Sequence, residues 1–200
     1  MTQSSLTSPS TKPRADAARA LRSGRPLKIG AIVVGIAFLI FAVFVGTRKP
    51  ATTTTAFSPL LFKPAPPLNG ATITGGHASL VTLQGHFVVV NFFASWCVAC
   101  RTEEPQLKSF LRAEHGNAYV LGVDYDDSSA AATAFLGHYG ATWPAIADTS
   151  GSNALRWGVD QPPESFVISP TGVVLTKIVG AISATQLEHI IVVAKGTPVG

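Results

Sequence analysis

Only two cysteines stand in the 200 residues, Cys97 and Cys100, and the single methionine is Met1. A four-cysteine zinc site is excluded, because it needs a second pair. None of the five histidines belongs to an H-x-x-x-H ligand pair, and a thioether copper site has only Met1 to draw on. A net basic charge is also missing from most of the chain. Residues 1–49 carry eight Lys/Arg against Asp16, a balance of +7, whereas residues 50–200 carry seven against ten acids, a balance of −3. The overall +4 belongs to the front end, which argues against a nucleic-acid-binding domain. No internal repeat is present.

Charged and strongly polar side chains are absent from the eighteen residues 29–46. At about 1.5 Å per residue that run nearly spans a ~30 Å hydrocarbon core. A core helix of a soluble domain would keep a polar face. A cleavable signal peptide competes, but its apolar region is normally about 7–15 residues long and ends in small residues. Here Arg48 and Lys49 follow instead. The reading is an uncleaved transmembrane anchor over residues 27–47. Six Lys/Arg precede the apolar run (positions 12, 14, 19, 22, 25 and 28), so residues 1–26 are expected to be a disordered cytoplasmic tail. All that follows then lies outside, where disulfides are chemically sensible. Residues 48–66, with four consecutive threonines and several prolines, read as a semi-extended linker, and residues 67–200 as the folded domain.

What is present centres on residues 88–105. A run of β-branched and aromatic residues, Val88 to Phe93, ends in a small-residue turn, and Cys97-Val98-Ala99-Cys100 follows directly. Leu107, Phe110 and Leu111 then recur at helical spacing. The pattern is a buried strand feeding an amphipathic helix, with Cys97 at the helix N-terminus. Free N–H groups and the macrodipole there favour an anion, so the Cys97 thiol should be acidified and nucleophilic. Cys100, one turn on, lies within reach to close a disulfide. A purely structural bridge across two residues would close too small a loop to stabilise much. Redox chemistry is the reading.

Around this stretch, residues 68–83 suggest a small hairpin broken at Gly75-Gly76. Strands are expected at 87–93 and 119–123, and helices at 97–114 (with a kink at Pro105), 128–139 and 153–157. A hairpin is expected over 165–168 and 173–179, then a closing helix over 185–193 capped by Ser183. Alternating βαβα followed by ββα gives an α/β sandwich. Trp143 and Trp157 read as core, and Trp96 as a flat apolar platform beside the first cysteine.

The segment Asn91-Phe92-Phe93-Ala94-Ser95-Trp96-Cys97-Val98-Ala99-Cys100 resembles the active-site region of thioredoxin-fold oxidoreductases. With Leu121 to Asp127 and Trp157 to Ile168, it is most similar to the TlpA/ResA/DsbE group, the membrane-tethered reductants of cytochrome c maturation. The resemblance covers about residues 66–191. It implies a thioredoxin-like sandwich, a central mixed sheet flanked by helices, with an extension in the place of the hairpin. It implies that Pro163 is a cis-proline set opposite the cysteines, where the residues alone leave both bond isomers open. Asn91 stands where thioredoxins proper often keep a proton-accepting aspartate. The acids of the resembled group fall on Glu103 and Glu164, either of which could tune the thiols. The plainer alternative for Glu103 is a solvated residue in the first helical turn.

Four departures from the group's pattern are Phe93 for tryptophan, Ala99 for proline, Gln161 for glycine, and Pro162 where an N–H is normal. Pro162 therefore offers a docked peptide backbone one hydrogen bond fewer. The implied partners are apocytochrome c or a thiol chaperone as substrate and a DsbD- or CcdA-type membrane reductant as donor, with no metal or organic cofactor. A general extracytoplasmic reductase or oxidant, a copper chaperone on the same fold and a peroxidase relative are the alternatives.

Overall fold

Valines and phenylalanines crowd residues 87–93, and there the chain forms a central strand with every residue buried. The computed structural model describes residue 30, residues 33–41 and residues 54–196. Eight strands run in order: β1 (Thr54–Ala56), β2 (Asn69–Ala71), β3 (His77–Ser79), β4 (Phe87–Phe93), β5 (Ala118–Tyr125), β6 (Ala145–Asp148), β7 (Glu164–Ile168) and β8 (Val174–Val179). Within residues 54–196 the helices are α1 (Cys100–Glu114), α2 (Ser129–Tyr139), α3 (Ser152–Trp157) and α4 (Ala184–Gly196), with a 3₁₀ turn over Leu80–Leu83. The main sheet has the order β1-β8-β7-β4-β5-β6, and β2 and β3 form a separate hairpin. Strands β4, β5 and β6 pair in parallel, while β7 joins β4 antiparallel, so the sheet is mixed as expected.

Strand alternation sends side chains to two faces. Val88, Val90 and Phe92 of β4 pack with Leu121, Val123, Phe166 and Trp157 on the face covered by α3 and the hairpin. Phe87 and Val89 pack with Leu107 and Phe110 of α1 and Leu187 and Ile191 of α4 on the other. Each fully buried large apolar side chain contributes about 1.5–3 kcal/mol relative to exposure. Trp143 and Trp157 are both buried, as read from the sequence.

Three local expectations need correcting. Helix α1 begins at Cys100, three residues later than expected, because Arg101 and Thr102 first donate to Val98 and Ala99 in tight turns. It runs on through Pro105 to Glu114. Within the expected linker, residues 54–65 are part of the fold. The strand β1 pairs with β8, and Phe62 N and Ala65 N donate to Val174 O and Gly172 O at 2.8 and 2.9 Å. The open edge of β8 had backbone groups to satisfy, and this segment supplies the partners. Strand β5 extends two residues past 123, which brings Asp124 into the sheet. Ser183 does cap α4, since its Oγ accepts from Gln186 N while Gln186 Oε1 accepts from Ser183 N, a reciprocal capping box.

The chain divides into two units, Met1–Pro50 and Ala51–Gly200. In the first, residues 33–41 are helical, and its large apolar side chains from Val33 to Phe41 are exposed. Among the described residues no helix is long and apolar enough to cross a membrane. The expected cytoplasmic tail over 1–26 and much of the expected anchor over 27–47 lie outside the described residues.

Candidate redox site

Strand β4 ends at Phe93, and the chain turns at once: Cys97 N donates to Ala94 O at 3.1 Å. Two contacts from the loop after β5 hold this turn. Ser95 N donates to Asp127 Oδ2 at 2.7 Å, and Trp96 Nε1 donates to Asp126 O at 3.2 Å. Trp96 remains half exposed and Val98 largely so, which leaves an apolar rim beside the cysteines. Cys97 and Cys100 are joined in a disulfide with Cα atoms 5.3 Å apart. Cys97 keeps 4% exposure and Cys100 none, so the first sulfur is the one nearer solvent. The amide of Cys100, the first residue of α1, donates to Cys97 Sγ at 3.1 Å. A helix-terminal N–H thus points at the sulfur that would carry negative charge after reduction.

One helical turn past Cys100 a buried polar network begins. Asn91 of β4 donates from Nδ2 to Glu103 Oε2 at 2.8 Å and to Ser165 Oγ at 2.9 Å, tying α1 and β7 to the central strand. Glu103 Oε1 accepts from Ile182 N at 3.1 Å. Only 1% of Glu103 is exposed, so the solvated alternative is excluded. Burial pushes its carboxyl up to about 7, against the opposing pull of the Ile182 and Asn91 donors.

Pro163 is buried, and the Pro162–Pro163 bond is cis. Glu164 pairs with Phe92 in register, so Pro163 falls level with the end of β4, where the cysteine turn begins. Glu164 itself goes elsewhere. Its alternation places it on the face of Phe92 and Phe166, away from Asn91 and Glu103, and its Oε2 pairs with Lys177 Nζ at 2.7 Å. Lys177 Nζ also donates to Gly158 O at 2.6 Å. The structure therefore places Glu103 one helical turn after Cys100, tied to Asn91 and the Ile182 amide, and commits Glu164 to an ion pair.

Two acids escaped the sequence reading. Glu104 is 1% exposed, and its Oε2 has no hydrogen-bond partner. Burial pushes its carboxyl up to about 8, and the charge of Glu103 adds to the rise. Asp124 is fully buried with neither oxygen partnered, and burial, then the charges of Asp127 and Asp148, raises it to about 7. The signal for Glu104 was available: it lies four residues after Cys100 and three before Leu107, on the apolar side of the helix.

Comparison with known proteins agrees with this architecture. A sequence model of the AhpC/TSA family matches residues 62–177. The thiol:disulfide interchange protein CycY of Rhizobium leguminosarum bv. viciae is 37% identical over 119 residues, covering 59% of this chain and 63% of CycY. The chain therefore spans less than two thirds of that relative's length. DsbE of Pseudomonas fluorescens biotype C, also named a thiol:disulfide interchange protein, is 34% identical over 147 residues, covering 72% of this chain and 81% of DsbE. Among solved structures, a DsbE-type thiol:disulfide interchange protein of Chlorobium tepidum superposes with a TM-score of 0.60 at 29% identity, covering 68% of this chain and 96% of its own. The thioredoxin-like α/β fold is thereby established.

Proposed function

The chain belongs to the AhpC/TSA family, and from that premise we propose that it is a membrane-anchored reductant of cytochrome c maturation working outside the cytoplasm. Its class of chemistry is thiol–disulfide oxidoreduction. The observation that carries the reading is the Cys97–Cys100 disulfide, with its outer sulfur facing a helix-terminal amide and its inner sulfur buried.

In the dithiol state the Cys97 thiolate attacks a disulfide of the partner protein. One partner sulfur leaves and takes a proton, and a mixed disulfide forms. Cys100 then gives its proton to the Glu103 carboxylate, and its thiolate attacks Cys97 Sγ. The intramolecular disulfide closes, the second partner sulfur departs, and two electrons have passed to the partner. Pro163 and the exposed Trp96 frame the approach of the partner chain, and Pro162, which lacks an N–H, leaves its backbone one donor short. Glu164 supports the Pro163 loop through Lys177 rather than exchanging protons with the thiols. The substrate would be the heme-binding cysteines of apocytochrome c or a thiol chaperone serving them, and a DsbD- or CcdA-type membrane protein would restore the dithiol. The exposed apolar helix over residues 33–41 and the six basic residues before it support an anchor with its N-terminus in the cytoplasm.

One trapping experiment tests partner and location together. Cys100→Ser keeps the attacking thiol but cannot resolve the mixed disulfide. Purified from membranes without reductant, it should appear at full-length mass, bound through Cys97 to an apocytochrome c or a maturation thiol protein. A broad set of unrelated secreted proteins would sink the cytochrome reading, and a soluble product starting near residue 50 would replace the anchor with a cleaved signal peptide.

A further inference from the structure

Glu103 and Glu104 are consecutive residues of α1, three and four positions after Cys100, and each is 1% exposed. Two buried carboxyls on adjacent residues do not both ionise readily, because burial disfavours each charge and the charge of Glu103 raises the proton affinity of Glu104 further. Their surroundings differ. Glu103 has two donors, Asn91 Nδ2 and Ile182 N, which favour its charged form. Glu104 has an oxygen sealed from solvent with no donor, which favours its protonated form. Among the described residues neither acid has an ion-pair partner, since the two ion pairs are Lys177 with Glu164 and Lys195 with Glu114.

We propose that Glu104 is a positioning residue of the redox site, holding with Glu103 a single proton and thereby setting the pH at which Glu103 accepts the Cys100 proton. This rests on the reading of Cys97 and Cys100 as an exchanging pair. Between the two steps, near 7 and 8, the pair is Glu103 carboxylate with Glu104 carboxylic acid. When Cys100 gives up its proton to Glu103, both carboxyls become neutral and the buried negative charge moves to the attacking sulfur. Closing of the disulfide then removes that charge to the departing partner thiolate, and Glu103 returns its proton to solvent. No electron passes through either acid. Above the upper step of the pair, Glu104 is charged too and holds Glu103 to a higher proton affinity.

Other titratable groups accompany the pair on the elements packed against α1. Arg101, Lys108, Arg112 and Glu114 share its helix, Tyr119, Asp124 and Tyr125 lie on β5, His138 and Tyr139 on α2, and Glu188, His189 and Lys195 on α4. Lys108 donates to Tyr139 O, and the charge that shifts Glu104 is that of Glu103.

The test is the pH profile of the resolving step, with reduced protein and 5,5′-dithiobis-(2-nitrobenzoate) as the probe disulfide. The protein as it stands should show two inflections, near 7 and 8. Glu104→Gln should show one, displaced downward by on the order of one pH unit from the upper step, and Glu104→Asp should restore two. A profile for Glu104→Gln that superimposes on the unaltered one, or a uniform loss at every pH, would overturn the proposal. Carboxyl ¹³C titration of the reduced, unaltered protein needs no variant. Both resonances should move in the same two steps, and two independent single steps would refute the shared proton. Failure of the probe to react at all would count against the exchange reading, while the carboxyl titration would still decide the pair.

Discussion

Replacing Cys97 by serine should reduce disulfide exchange to background, a loss of about a thousandfold or more. The hydroxyl of serine does not ionise near neutral pH, so the amide of Cys100 has no thiolate to stabilise. Cys100 cannot substitute, because it is fully buried beneath the turn. Groups that act as one unit are not additive, so Cys97→Ser with Cys100→Ser should be no worse than Cys97→Ser alone. Stability should change little, since the bridge spans only two residues and constrains the unfolded chain weakly. Turnover of a peptide disulfide, followed beside denaturant melts, checks both statements. Residual activity above a tenth of normal would place the attacking thiol elsewhere.

The second large effect is on stability, at Lys177→Met. Lys177 and Glu164 are 8% and 2% exposed, and their ion pair is closed by a further hydrogen bond to Gly158 O. Removing the ammonium strands a carboxylate on the apolar face beside Phe92 and Phe166, at a cost of about 3–5 kcal/mol. Substituting both partners, Lys177→Met with Glu164→Leu, should recover most of that loss, because no unpaired charge remains. Urea unfolding of the three proteins decides the matter. A double variant as unstable as the single one would mean that the pair is not the cause. Because Glu164 adjoins Pro163, the single variant should also weaken exchange, and the double variant less so.

These two sites also show what the sequence could and could not reveal. The β4 strand and the turn to Cys97 were legible because local pattern and tertiary burial agree: a continuous apolar run ends where the chain must turn. The helix boundary was misplaced by three residues because the Val98-Ala99 turns precede true helical bonding. Residues 54–65 read as a linker from threonine and proline content, yet what orders them is the edge of β8, more than a hundred residues away. No local signal carries that information. Glu164 was found, but its ion-pair partner was not. Twelve residues separate it from Lys177, and a register shift opposite Val167 and Ile168 changes which β8 side chains share a face. Asp124 lies beyond the expected end of its strand, and Glu104 belongs to no motif, its inward helical phase being the one local sign of its burial.

The account turns on an asymmetry between two sulfurs, and reactivity measures it directly. Protein reduced under argon can be pulsed with iodoacetamide across a range of pH and the label located by peptide mass. Cys97 should be modified first, with its half-maximal rate below the ~8.5 of an ordinary thiol. Cys100 should be modified slowly and only at higher pH, as expected of a sulfur with no exposure. Label appearing first on Cys100, or on Cys97 only at or above the ordinary thiol value, would contradict the assignment of Cys97 as the attacking group.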